Sequence, residues 1–282
     1  MTRALNNHIE VDGSETFGGR DRPQGAASWD AAQYEEAVAR TLARVSSNPV
    51  GSLVVAYIAR PVVIVPWDQL SEQVAYTSPD QGNPGFVPGE PMWWCRHESC
   101  TPAQRANPGS GTGAGTSVLI GFTPQSWPRA SGRIPADEVL CHELVHAMQY
   151  TRGLMSRRPA PLYDDFSEFC AITVTNMYRS HFYGSRATLR LHHRRYQSLP
   201  ADPFPVRDAP DHVYTFGPSA WNAMEWRMLD RFRKLQFTFT EALHSMSPSM
   251  CPHNPFRDQA AERATGSLRG LGQWGPPRNM RR

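Results

Sequence analysis

The residues of this chain best placed to do chemistry lie in Cys141-His142-Glu143-Leu144-Val145-His146. On an α-helix, positions i and i+4 share a face about one turn apart, so His142 and His146 can both reach one metal ion. Glu143 points beside that face, where a carboxylate can take a proton from a water that the metal activates. Neutral imidazoles suit zinc, and a catalytic zinc takes three protein ligands and keeps one position open. Leu144, Val145, Ala147 and Met148 make the surrounding segment apolar. An unpartnered polar group buried there would cost about 1–3 kcal/mol. The pattern therefore points to a zinc centre rather than to three ordinary polar side chains.

A third ligand must come from another element. Glu168 is the first choice, because it falls early in the next helical stretch, Asp164-Asp165-Phe166-Ser167-Glu168-Phe169-Cys170-Ala171. A short connection makes consecutive helices antiparallel neighbours, which would return Glu168 to the histidines, and the small Cys170 and Ala171 allow close approach. Asp164 and Asp165 compete for the role, although helix capping is their natural use. His181 is a weaker competitor. Hydrolysis also needs a donor for the developing oxyanion, and Tyr163, Tyr214, His192, His193 and Arg190 each have the right chemistry. Asn176 is a candidate to orient a ligand histidine.

The elements that must position these groups follow from periodicity and punctuation. Tyr34, Ala37, Val38, Leu42 and Val45 recur at helical spacing, so a helix is expected from Trp29 to Ser46, capped by Ser28 and stopped at Asn48-Pro49. The β-branched runs 52–58 and 62–65 read as two strands or one kinked strand, closed by Pro66. Residues 77–116 are dense in Pro and Gly and read as a long excursion anchored by Met92-Trp93-Trp94. Thr116–Thr123 reads as a strand whose free edge could bind an extended peptide.

The motif helix is expected from Pro135, with Asp137 and Glu138 complementing the helix dipole, to Gly153. A second helix follows to Tyr183, carrying Phe169, Ile172, Val174 and Met177. After a Pro-rich loop over 198–212, Pro218 opens a helix with Trp221, Met224, Met228, Phe232 and Leu235 on one stripe. The expected architecture is α+β and zincin-like, mostly helical with a small sheet beside the motif helix. It comprises a flexible leader (1–28), one catalytic domain (29–246) and a poorly ordered tail (247–282).

Composition excludes several classes. Forty per cent apolar and 20 per cent charged residues fit a globular chain. A net charge of +3, with no long basic tract, argues against nucleic acid as a partner. No apolar run is long enough to span a bilayer, since Arg60-Pro61 breaks the longest, and the first residues lack a secretory signal. The leader offers a handle for secretion machinery or a chaperone, so a protein made in the cytoplasm could be exported without a cleaved signal. Lys234 is the single lysine among 29 basic residues. GC-rich coding accounts for this, and avoidance of ubiquitin conjugation in a host cell is the sharper alternative. Five cysteines, Cys95, Cys100, Cys141, Cys170 and Cys251, are an odd number that fits thiols in a reducing compartment better than a disulfide framework. Cys95 and Cys100 with His97 lack the second pair that a structural zinc site needs.

The run Pro135-Ala-Asp-Glu-Val-Leu-Cys-His-Glu-Leu-Val-His-Ala-Met-Gln-Tyr resembles the active-site helix of gluzincin-type zinc peptidases. It is most similar to the zinc-protease effectors that enteric and plant pathogens inject into host cells. Those share a Val-Leu-x-His-Glu-Leu-x-His-Ala run, a short strand before it and a downstream Glu ligand. Clostridial neurotoxin light chains resemble it more distantly, through His-Glu-Leu-x-His. The resemblance covers about residues 116–183. It implies His142, His146 and Glu168 on zinc, Glu143 as catalytic base, and cleavage of a protein or peptide substrate by a bacterial effector or toxin. Two other readings stand beside this one. One is an antibacterial hydrolase of cell-wall peptides, and the other is a non-catalytic, zinc-stabilised interaction protein.

Overall fold

A computed structural model describes residues 3–4, 8–14, 30–66, 75–79, 113–122, 124, 134–156, 158–160, 163–184, 189–190 and 223–265. Several expectations fall outside these residues: Ser28 and Trp29, Met92-Trp93-Trp94, Cys95, His97, Cys100, the 198–212 loop, Pro218, Trp221 and everything after 265.

The fold is a mixed α+β arrangement. Its sheet contains β1 (Arg3–Ala4), β2 (Ile9–Val11), β3 (Val62–Val65), β4 (Ala75–Pro79) and β5 (Val118–Phe122), in the order β1-β2-β3-β5-β4. Strands β2, β3 and β5 run parallel, and β1 and β4 pair antiparallel at the two sides. The register aligns Val11, Ile64, Ile120 and Thr77 in one row across four strands. All four side chains are buried.

Helix α1 (Ala31–Ser47) buries the expected Tyr34, Ala37, Val38, Leu42 and Val45. Its cap is Asp30, whose side chain accepts from the Ala32 amide. Asn48 both ends α1 and starts α2 (Pro49–Ala56), accepting from the Val50 and Gly51 amides at 2.9 and 3.3 Å. Residues 52–56 are therefore helical, not a strand as their β-branched composition suggests. An Asn N-cap followed by Pro at the first helical position outweighs strand propensity. Gly51 allows the tight turn between the helices, because any side chain there would collide with the Val45 carbonyl.

Helix α3 (Ala136–Thr151) carries the motif. It is buried from Asp137 to Thr151 and packs on α1, α2, β4, β5 and helix α4 (Phe166–Tyr183). Gly153, at φ +64°, ends it as expected. Its amide donates to the Tyr150 carbonyl, and the Leu154 amide reaches the Gln149 carbonyl at 2.7 Å. The short strands β6 (Pro159–Ala160) and β7 (Asp164–Asp165) form a separate pair ahead of α4. Among the described residues three further helices follow: α5 (Ala223–Leu235), α6 (Phe237–His244) and α7 (Pro255–Thr265). In α5 the expected Met228 and Phe232 are buried together with Trp226 and Leu229, whereas Leu235 is exposed.

Three expectations need correction. Residues 9–11 lie in the sheet rather than in a flexible leader, because Ile9 and Val11 alternate about Glu10 and bury both apolar side chains completely. Residues 251–260 belong to the packed body rather than to a loose tail, with Cys251, His253, Asn254 and Phe256 buried. Strand β5 has no free edge, since β3 and β4 occupy both sides. Among the described residues the edge on that side is β4, which begins within two residues of the supposed excursion and includes its first three positions.

Candidate metal centre

Two helices build the site. Asp137 and Glu138, at the start of α3, face the last turns of α4. Asp137 accepts from the Tyr178 hydroxyl at 2.6 Å and from Arg44 Nε at 2.9 Å, and Glu138 accepts from Arg179 at 2.7 and 3.0 Å. These bonds set α3 and α4 antiparallel and clamp one end of the pair. Two turns along α3, His142 and His146 meet Glu168 from the first turn of α4.

The three groups converge through like-facing atoms. His142 Nε2 lies 3.2 Å from His146 Nε2. Glu168 Oε2 is 3.3 Å from His142 Nε2, and Oε1 is 3.1 Å from His146 Nε2. In a tetrahedral site with bonds of about 2.0–2.1 Å, neighbouring ligand atoms are about 3.3–3.4 Å apart. The observed separations match that edge closely, so these residues could hold a metal ion. Both Nδ1 atoms are buried and have no hydrogen-bond partner among the described residues.

Electrostatics leads to the same conclusion. Burial pulls His142 down to about 4, against the hydrogen bond and charge of Glu168. Burial also opposes charge on His146, yet Glu168, aided by Glu143 and Asp165, carries it up to about 9. Burial alone would raise Glu168. The charge of His146 and the hydrogen bonds from both histidines outweigh burial and hold the carboxyl well below its usual range. The cluster thus favours one positive charge between two imidazoles and a carboxylate, which is where a cation would lie.

Glu143 is buried beside this triad and outside it. Its Oε2 accepts from the Thr77 hydroxyl at 2.7 Å, and the same hydroxyl lies 3.2 Å from the Glu143 carbonyl. Thr77 was missed in the sequence, hidden at the start of a stretch read as Pro- and Gly-rich. The β-formers Val74, Tyr76 and Thr77 in a short run before Pro79 were the available signal.

The competing candidates divide clearly. Asp165 caps α4, with Oδ1 accepting from the Glu168 amide at 3.0 Å. Asp164 contributes backbone to β7. His181 is half-buried, and its Nδ1 donates to the Met250 carbonyl at 2.8 Å. Tyr163 is buried and donates to Glu225 Oε1 at 2.8 Å; burial and that carboxylate push its pKa up. Asn176 does not orient a histidine. Its side chain grips both backbone groups of Arg190 at 2.8 Å. Arg190 in turn is near enough to the site for its charge to lower His142. Tyr214, His192 and His193 lie outside the described residues.

Of the cysteines, Cys141, Cys170 and Cys251 are buried free thiols. No helix of the described residues is long and apolar enough to cross a membrane. No protein-family model, curated protein or solved structure matches the chain.

Proposed function

We propose that the chain is a zinc-dependent endopeptidase. The observation that carries this reading is the convergence of His142, His146 and Glu168 on one point, with the buried Glu143 carboxylate held just beside it. His142 Nε2, His146 Nε2 and a Glu168 oxygen would hold the ion. Bound zinc would act as a Lewis acid toward a peptide carbonyl and make water more acidic. Glu143 takes a proton from the attacking water and delivers it to the leaving amine. Arg190, pinned by Asn176, supplies positive charge on the His142 side of the site, where it can act on the developing oxyanion. An extended substrate strand fits the outer side of β4 better than β5, whose edges are both occupied.

A structural zinc site would close its fourth position with Cys or His and would have no use for a buried carboxylate beside the ligands. The motif's resemblance to injected zinc-protease effectors supports a bacterial effector or toxin as the setting.

The test replaces Glu143 by Gln. The variant is expected to bind zinc one-to-one like the wild type and to lose casein cleavage by at least about a hundredfold, as loss of a general base does. Undiminished cleavage by the variant would refute the mechanism.

A further inference from the structure

The row Val11–Ile64–Ile120–Thr77 is apolar at three positions and ends in a threonine. Ile120 and its neighbours in this row are fully buried, and Thr77 is 5 % exposed. A β-branched side chain suits the position. The shape of valine would meet that need, and only the hydroxyl goes beyond it. A buried hydroxyl carries one proton and gives it to one acceptor at a time. The 2.7 Å contact to the Glu143 carboxylate is short and charge-assisted, so it prevails over the 3.2 Å contact to the carbonyl.

We propose that Thr77 is a positioning residue whose hydroxyl fixes the Glu143 carboxylate, so that edge strand β4 and the general base are set as one unit. This rests on the peptidase reading above. Thr77 donates to Oε2 and so restricts rotation of the carboxylate. A neutral hydroxyl orients the carboxylate without placing a second positive charge beside the histidines, unlike the arginine that neutralises Glu138. Thr77 is the central residue of β4. A peptide bound along this strand therefore meets a base already aimed, and the benefit falls on turnover rather than on binding.

The experiment compares wild type, Thr77→Val and Thr77→Ser, all zinc-loaded, on one peptide selected from a quenched-fluorescent peptide library. A crystal structure of each provides a readout independent of activity. Thr77→Val is expected to lose roughly tenfold in kcat, the scale of one hydrogen bond to a charged group, with KM changed by less than about twofold. Its zinc content stays at the wild-type level, and its Glu143 carboxylate leaves the wild-type rotamer. Thr77→Ser keeps that rotamer and restores most of kcat. The role of Thr77 is overturned if Thr77→Val matches wild type in kcat and in Glu143 orientation, or if serine fails to rescue. A wild type that binds zinc but cleaves no member of the library overturns the peptidase reading instead, and with it the catalytic benefit assigned to Thr77.

Discussion

The first turn of α3 carries two buried carboxylates, Asp137 and Glu138, and the following turns carry a third, Glu143, with His142 and His146. Burial is similar in both places, but the partners are not. At the first turn each carboxylate meets an arginine of opposite charge from a neighbouring helix, Arg44 for Asp137 and Arg179 for Glu138, and Asp137 also accepts from the neutral Tyr178 hydroxyl. Those charges are neutralised in place and tie α3 to α1 and α4. Two turns later two imidazoles and a carboxylate face one another, with imidazole nitrogens 3.2 Å apart and the carboxylate across from both. Such a set could hold a metal ion. A buried charge paired with its complement serves the architecture, whereas metal-ligating side chains that converge could bind an ion.

Breaking the architectural end should have the largest effect. Arg179→Met leaves Glu138 buried without its main partner, a change that costs about 3–5 kcal/mol. Thermal unfolding should show a fall in Tm of roughly 10 °C, while zinc stoichiometry at low temperature remains one. Burial already raises the Glu138 pKa against the pull of Arg179, so in the variant the carboxyl limits its cost by taking up a proton. Adding Glu138→Met should recover most of the loss, because an apolar pair can replace a buried ion pair. Breaking the converging end should do the reverse. Glu168→Ala is expected to weaken zinc binding by more than the roughly hundredfold that follows loss of an outer-shell partner. The metal-free variant should lose far less stability than Arg179→Met. Equilibrium zinc titration and calorimetry on the same samples read both quantities. If Arg179→Met releases zinc, or Glu168→Ala binds it normally, the two ends do not divide as described.

Local signals made much of this legible. Pro135, the carboxylates after it and Gly153 bracket α3 to within a residue or two, because helix ends are encoded by neighbouring side chains. The i, i+4 histidines and a glutamate one turn into the next helix suffice to bring three donors together, since a short connection leaves two helices few ways to pack. Long-range pairing was not legible. Residues 9–11 become a strand only because β3 lies beside them, and nothing near them in the sequence announces it. Residues 52–56 carry a strand composition, and the close approach of Gly51 to Val45 is a tertiary fact. Thr77 could not be assigned to Glu143 without the sheet register, which depends on residues far apart in the chain. Arg190 was one of five equal candidates for the oxyanion donor, and the grip of Asn176 on its backbone, which only the fold shows, does not exclude Tyr214, His192 or His193 outside the described residues.

The smallest effect concerns Asp165, which could have served as ligand or as cap. Its backbone is extended at φ −142° and ψ 177°, and its Oδ1 accepts from the Glu168 amide. Its carboxylate is committed to the first turn of α4, the turn that presents Glu168. Asp165→Ala should therefore cost about 1 kcal/mol, the usual loss at a helix N-cap, or some 2–4 °C in Tm. Asparagine caps as well as aspartate does, so Asp165→Asn should restore the stability. Both variants should bind one zinc, with at most a modest loss of affinity from a loosened Glu168. A ligand would behave differently: alanine and asparagine would both release the metal, and stability of the metal-free protein would be the quantity left unchanged. The pair of substitutions thus separates a residue that holds the helix from one that holds the ion, at a position adjacent to both.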